Sequence, residues 1–326
     1  MPTHLTEISN YAAQVDDKLN SLLQSRTPTG LYEPISYTLS LGGKRLRPAL
    51  CMLASRLFCG DASHALNPAI GIELFHNFTL LHDDIMDNSP IRRGQPTVFV
   101  KWNINTGILS GDAMIVIAYE HLINIEPTLI PQVLTAFNKT ALEVCEGQQL
   151  DLDFEVLDSV SIPDYIHMVT LKTAVLLAAS LKIGALVGGA AIEQAEHLYE
   201  YGLNLGIAFQ LQDDILDVFG EPDKVGKQAG GDIIANKKTF LYLKSLELAS
   251  IENREELIDW YSGPTYDVAE KVSKVKALFE SANVLYHAEA EKTMYYNNAL
   301  QHLTALDNIE TSILKDFAEA LMKREV

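Results

Sequence analysis

Residues 81–87 read Leu81-His82-Asp83-Asp84-Ile85-Met86-Asp87, and their reading decides both the fold and the site. On an α-helix, positions i and i+4 stand one turn apart on one face, so Asp83 and Asp87 project together with Asp84 beside them. The lead-in is apolar: Phe75, Phe78, Leu80 and Leu81. Gathering like charges at the end of an apolar helix is costly unless a cation stands among them. Oxygen-only donors suit a hard cation, Mg²⁺ first. An acidic, solvated helix end is the plain alternative.

The pattern recurs 130 positions later as Leu211-Gln212-Asp213-Asp214-Ile215-Leu216-Asp217. Again an apolar helical stretch precedes it, with Leu203, Leu205, Ile207, Ala208 and Phe209. Two such clusters facing each other across a pocket would hold several Mg²⁺ ions, and a diphosphate is the natural ligand of such a set.

Outward from the first cluster the chain reads as helix throughout. Leu5, Ile8, Ala12, Val15, Leu19 and Leu22 have helical spacing, which Pro28 and Gly30 interrupt. Helices follow from about Tyr32 to Leu41, from Pro48 to Phe58, and through 107–125, 129–155 and 193–219. Another starts at Ile162-Pro163-Asp164 and runs to Lys172-Thr173-Ala174. From Thr239 onward several helices carry charged faces, and no period-2 strand pattern stands out. The expectation is an all-α chain forming a single domain over residues 1–326, without a Pro/Gly/Ser-rich linker.

Composition narrows the function. The 326 residues carry 25 Lys and Arg against 43 Asp and Glu, a net charge of −18, which argues against nucleic acid or an anionic membrane as the main partner. The apolar run from Ala174 to Ala191 is broken by Ser180 and Lys182, and reads as a buried core helix without membrane insertion. Cys51, Cys59 and Cys145 lack metal-ligand spacing and suit a reducing, cytoplasmic location. The N-terminus is polar and lacks signal-peptide features.

The few cations gather near the carboxylates: Lys44, Arg45, Arg47, Arg92, Arg93, Lys227, Lys237 and Lys238. In Gly42-Gly43-Lys44-Arg45-Leu46-Arg47-Pro48 two glycines free the backbone to approach a ligand, three cations follow, and Pro48 can open a helix. Arg92-Arg93, in a Pro- and Gly-marked loop straight after Asp87, offers the fork geometry that diphosphate oxygens accept. His76 lies two turns before Asp83. Gln148 and Asp151 fall mid-helix, where a pocket lining is plausible. The Lys224–Asp232 loop has glycines and lysines but no P-loop ending.

These residues, in this order, resemble the trans-isoprenyl diphosphate synthase family, the polyprenyl synthetases, over about Gly42 to Lys238. The resemblance implies the isoprenoid synthase fold, a large all-α bundle of about ten or more helices around a central cavity. It also implies a homodimer, three Mg²⁺ per active site, and head-to-tail transfer of an allylic diphosphate onto isopentenyl diphosphate. By motif, Asp83, Asp84, Asp87 and Asp213, supported by Asp214 and Asp217, act on Mg²⁺ and the allylic diphosphate. Arg92, Lys172, Lys227 and Lys237 grip that diphosphate. Lys44, Arg47, His76 and Arg93 bind the diphosphate of isopentenyl diphosphate. Thr173 and Gln210 stabilise the allylic cation, while Gln148 and Asp151 position metal or cation. Phe78 and Thr79, below the first motif, set chain length. One aromatic at Phe78, Thr79 beside it and no insertion in the motif imply a C15–C20 product, leaning to geranylgeranyl diphosphate.

Other readings remain at this point. A class I terpene cyclase shares helices and one aspartate motif, but carries an Asn/Ser/Glu metal motif in place of the second and lacks Gly-Gly-Lys-Arg-Leu-Arg-Pro. A di-iron bundle would need a second Glu-x-x-His beside Glu73-Leu74-Phe75-His76. A non-catalytic partner subunit would be expected to have lost aspartate motifs, and both are intact.

Overall fold

Apolar residues at three- and four-residue spacing fold as helices in the computed structural model, which describes residues 3–23, 26–220, 230–262 and 267–323. Lys227 and most of its loop lie outside the described residues. In chain order the helices begin with α1 (Thr3–Leu22), α2 (Thr29–Ser40), α3 (Leu46–Cys59) and α4 (Leu66–Met86). A two-residue hairpin, β1 (Ile91–Arg92) and β2 (Gln95–Pro96), precedes α5 (Val98–Lys101), α6 (Ile104–Leu122) and α7 (Ile130–Val156). Next come α8 (Ile162–Val169), a π-helical turn (Thr170–Ala174), α9 (Val175–Val187) and α10 (Ile192–Phe219). The chain closes with α11 (Gly231–Ile234), α12 (Phe240–Leu248), α13 (Ile251–Ser262), α14 (Val268–Ser281), α15 (Val284–Thr304) and α16 (Ser312–Met322).

The all-α expectation holds, with local differences. Residues 91–96 pair as a minimal hairpin where the sequence reads as plain loop: Ile91 faces Pro96 and Arg92 faces Gln95. Its turn, Arg93-Gly94, has φ of 53° and 73°. Positive φ at both central positions is the primed turn that matches strand twist. α2 starts at Thr29, earlier than the expected Tyr32, with Gly30 in its first turn.

The chain divides into two compact units. The first comprises residues 1–139, 179–199 and 306–313. Its core is the fully buried face of α3 and α4, including Leu50, Leu53, Ile72, Leu74 and Phe75, with Ile8, Val15 and Leu19 of α1 laid against it. Burying one such side chain contributes roughly 1.5–3 kcal/mol. α4, which carries the first carboxylate cluster, packs along α6.

The second unit comprises residues 140–178, 200–305 and 314–326. Ile207, Leu211 and Ile215 of α10 form one buried stripe against Phe240, Leu243 and Phe279. α8 starts on a capping box: the Ser161 hydroxyl accepts from the Asp164 amide at 3.3 Å, and the Asp164 carboxylate accepts from the Ser161 amide at 3.1 Å. The stretch Ile162–Val187 is long and apolar enough to cross a membrane, but 78% of its most apolar window is buried inside the protein. Core burial accounts for its composition.

Candidate active site

In the first unit the site is built on the end of α4. A helix C-terminus already carries partial negative charge, and Asp83, Asp84 and Asp87 add three carboxylates to it. Arg92, aimed by the hairpin, answers them. Its Nε donates to Asp84 Oδ1 at 2.8 Å and its Nη2 to Asp83 Oδ2 at 3.3 Å. Asp84 is only 5% exposed. Burial pushes its carboxyl up to about 6, with Asp83 and Asp87 adding to the rise and Arg92 opposing it.

The neighbouring Arg93 turns to the glycine pair. Its guanidinium donates to the Gly42 carbonyl. A Cβ on Gly43 would stand 2.9 Å from Arg93 Nη2, and φ of 142° already restricts that position to glycine. Lys44 is exposed in the turn, whereas Arg45 folds inward. Arg45 donates to Asp16 Oδ1 at 2.7 Å, to Glu73 Oε1 at 2.6 Å and to the Leu39 carbonyl at 2.6 Å. This buried clasp ties the basic turn to α1, α2 and α4.

Arg47 lies beside His76, with Nη1 3.3 Å from His76 Nε2. Burial, reinforced by Arg47, Arg93, Arg45 and Arg92, holds the imidazole well below its ordinary range. It is therefore neutral at pH 7, and since arginine can only donate, Nε2 must accept and Nδ1 carries the proton. Arg47 Nε is buried without a hydrogen-bond partner among the described residues, a donor that an anion would satisfy. Phe78 and Thr79 are half-buried on the same helix. Phe78 packs on Phe75 (ring centroids 5.7 Å apart), and Phe75 on Phe137 at 5.1 Å.

In the second unit Lys172 and Thr173 occupy the π turn. Lys172 Nζ donates to Asp151 Oδ2 at 2.5 Å. The Thr173 hydroxyl donates to Gln210 Oε1 at 3.4 Å, which leaves its lone pairs for a cation. Gln210 Nε2 donates in turn to Asp214 Oδ1 at 3.0 Å, and the Tyr165 hydroxyl donates to Asp214 Oδ2. Asp214 is 2% exposed, and its carboxyl is pushed up to about 8, chiefly by burial and then by Asp232. Asp217 accepts amides of the Gly230–Asp232 turn, Gly231 at 3.2 Å and Asp232 at 3.0 Å. Asp213 is exposed. Gln148 Nε2 is buried without a partner among the described residues.

Lys237 and Lys238 part company. Lys237 is exposed, while Lys238 Nζ donates to the carbonyls of Phe154 at 2.6 Å and Leu157 at 2.8 Å, closing the end of α7. Sequence reasoning counts both among the cations near the motifs and gives a diphosphate role to Lys237 alone; it does not foresee the structural role of Lys238. It also passes over Tyr165 and places Arg45 among the cations without a role of its own; the contacts of both are with partners distant in the chain. The inward turn of Arg45 has one local cause, its left-handed φ of 47° at the N-cap of α3.

Among the described residues no three His, Cys, Asp or Glu side chains stand as a preformed metal cage. The donor chemistry nevertheless fits Mg²⁺: the sets are all oxygen, and crowding and burial raise Asp84, which a divalent cation would reverse. Arg92 and the carboxylates of α4 would share such an ion's diphosphate ligand.

A predominantly helical chain with two Asp-Asp-x-x-Asp helix ends and arginines gathered beside the first has the pattern of a prenyl-diphosphate enzyme. Comparison gives the family: residues 28–281 match the polyprenyl synthetase model, and the chain belongs to that family. A geranylgeranyl diphosphate synthase of Methanosarcina mazei is 37% identical, over 99% of this chain and 98% of that one. A crystal structure of a geranylgeranyl pyrophosphate synthase superposes with a TM-score of 0.91 at 42% identity, covering 100% of both chains. The structure of the synthetase from Pyrococcus horikoshii gives 0.92 at 33% identity, covering 98% of each. The protein is a prenyltransferase of the short-chain prenyl diphosphate synthase type.

Proposed function

We propose that the protein condenses isopentenyl diphosphate with an allylic diphosphate, with Mg²⁺ at the carboxylates, and stops at geranylgeranyl diphosphate. The observation that carries the reading is the charge arrangement at α4: carboxylates paired with Arg92, beside Arg93, Arg47 and a neutral His76. Asp83, Asp84 and Asp87, with Asp213, hold the metal ions, three per site. Bound there, Mg²⁺ neutralises the leaving diphosphate and makes its departure easier. Arg92, Lys172, Lys227 and Lys237 grip the allylic diphosphate. Lys44, Arg47, His76 and Arg93 hold that of isopentenyl diphosphate, and the unpartnered Arg47 Nε suits this task.

The allylic C–O bond breaks and its electron pair leaves with diphosphate. The double bond of isopentenyl diphosphate then attacks the allylic cation at C1, forming the new C–C bond. The proton lost from the adjacent carbon passes to the released diphosphate. The Thr173 lone pairs, oriented by Gln210, face positive charge, and the apolar helices keep water away from the cation. Gln148 and Asp151 assist, Asp151 through Lys172.

Phe78 is the floor for the growing chain, with Thr79 beside it. Support comes from the packing of Phe78 on Phe75 and of Phe75 on Phe137, which ties Phe78 into a row of aromatic rings. Relatives named as geranylgeranyl synthases support C20. A homodimer is supported by α6, whose outer face exposes Ile104 (51%), Leu109 (60%) and Val116 (60%). A single functional domain is supported by the family match spanning residues of both units, and the reading of residues 162–187 as a core helix by its burial. The test is incubation with isopentenyl diphosphate, each allylic starter and Mg²⁺, followed by product sizing. A C20 product is expected, lengthened by Phe78→Ala. No elongation from any starter contradicts the reaction, and an unchanged product with Phe78→Ala contradicts the floor.

A further inference from the structure

We infer that Gly147 and Gly206 are positioning residues for the reaction: they let α7 and α10 close on the π turn and so fix where Lys172 and Thr173 stand. The inference rests on the reading that Lys172 and Thr173 serve the allylic substrate.

The π turn is the starting point. Val175 N–H bonds to the Thr170 carbonyl, five residues back, so one extra residue is held within the helix. Such a turn is rare and intrinsically poor, and it persists only where its surroundings hold it. Two helices do so here, in the same manner. On α7, a Cβ at Gly147 would stand 2.7 Å from both Leu171 C and Lys172 Cα, so the backbones meet without a side chain between them. One helical turn later, Asp151 takes the Lys172 ammonium at 2.5 Å. On α10, a Cβ at Gly206 would stand 2.7 Å from Ala174 Cα and 2.8 Å from its Cβ. One helical turn later, Gln210 takes the Thr173 hydroxyl at 3.4 Å. Each helix thus brings a glycine for close approach and, at i+4 on the same face, a polar group for the adjacent π-turn side chain. Glycine is a poor helix former, and two in helix interiors fit best where contact demands them.

A methyl group at either glycine meets backbone or Cβ atoms that cannot rotate away, so the turn must shift. A shift approaching an ångström at a catalytic group costs on the order of a hundredfold in rate. The experiment compares Gly147→Ala, Gly206→Ala and Ala174→Gly with Lys172→Ala, and with Gly184→Ala as a control. Gly184 is also crowded, against Cys51 and Ala54, but belongs to the first unit and touches no residue of the π turn among its nearest neighbours. Ala174→Gly loosens the contact without a clash, so it stays informative if the crowded variants do not fold.

Per folded molecule, kcat should fall about ten- to a hundredfold in the two glycine-to-alanine variants and about threefold in Ala174→Gly. KM for isopentenyl diphosphate should stay within about threefold, since the residues proposed to hold it include none of the π turn. Amide hydrogen exchange over residues 170–175 should quicken by about tenfold or more in all three. Gly184→Ala should lower Tm and leave kcat and this exchange unchanged. Wild-type kcat or unchanged exchange in the folded variants overturns the inference, as does an equal loss of kcat in Gly184→Ala. Wild-type kcat in Lys172→Ala overturns instead the reading on which it rests.

Discussion

The two Asp-Asp-x-x-Asp helix ends have the same spelling and different wiring. At α4, Asp83 and Asp84 share one guanidinium, that of Arg92, a partner that can exchange for a metal-bound diphosphate. At α10, the second carboxylate is sealed between Tyr165 and Gln210, and the third is committed to the amides of Gly231 and Asp232. One cluster is thus three carboxylates at a helix end answered by a single arginine, the edge proposed above to take the metal ions. The other is an exposed Asp213 on a helix end whose remaining carboxylates hold the local structure. A repeated motif identifies chemistry, but its neighbours decide how many of its members take part.

The largest expected effect comes from the leading carboxylates. On the proposed function, Asp83→Ala and Asp213→Ala should each lower kcat by about a thousandfold or more, because each would remove a charge acting on the departing diphosphate. Turnover near wild type in either variant would break the comparison at its base. Tyr165→Phe comes next. It removes a buried donor to Asp214, and should destabilise the protein by about 1–3 kcal/mol in urea titration while lowering kcat only about tenfold. A loss of activity as large as that of Asp213→Ala would make Asp214 a metal ligand after all.

The smallest effect is a pH dependence in metal-free protein. Burial raises Asp214 to about 8 in the fold, against about 4 when unfolded, so the folded state holds the proton more tightly. Between those values the unfolded state binds fewer protons, and this group's contribution to stability falls as pH rises. Asp214→Asn removes that slope. Its Tm relative to wild type, in EDTA, should therefore be more favourable at pH 8 than at pH 5, and a pH-independent difference would contradict the sealed position.

Much of this was legible in the sequence because helical spacing and aspartate spacing are local. Leu50, Ile72 and Leu211 announce their buried faces by periodicity alone, and Asp83 and Asp87 fall on one face by geometry. What was not legible depends on contacts between segments distant in the chain. Lys237 and Lys238 are adjacent and identical, and nothing local announces that Lys238 reaches back to the carbonyls of Phe154 and Leu157 at the end of α7. Residues 170–174 read as ordinary helix, because nothing in Thr-Leu-Lys-Thr-Ala signals a widened turn; its cause sits at residues 147 and 206. The hairpin at Arg92 is too short for an alternating pattern to show.

The unequal wiring of the two motifs is tested most directly by their third carboxylates. Mg²⁺ binding, titrated calorimetrically in the presence of a non-ionisable allylic diphosphate analogue, should be compared for Asp87→Asn and Asp217→Asn, with Tm alongside. Asp87→Asn should weaken Mg²⁺ binding about tenfold or more with little change in Tm, while Asp217→Asn should lower Tm by several degrees and leave Mg²⁺ affinity within about twofold. Equal loss of Mg²⁺ affinity in the two variants, with Tm unchanged in both, would contradict the division of labour drawn here.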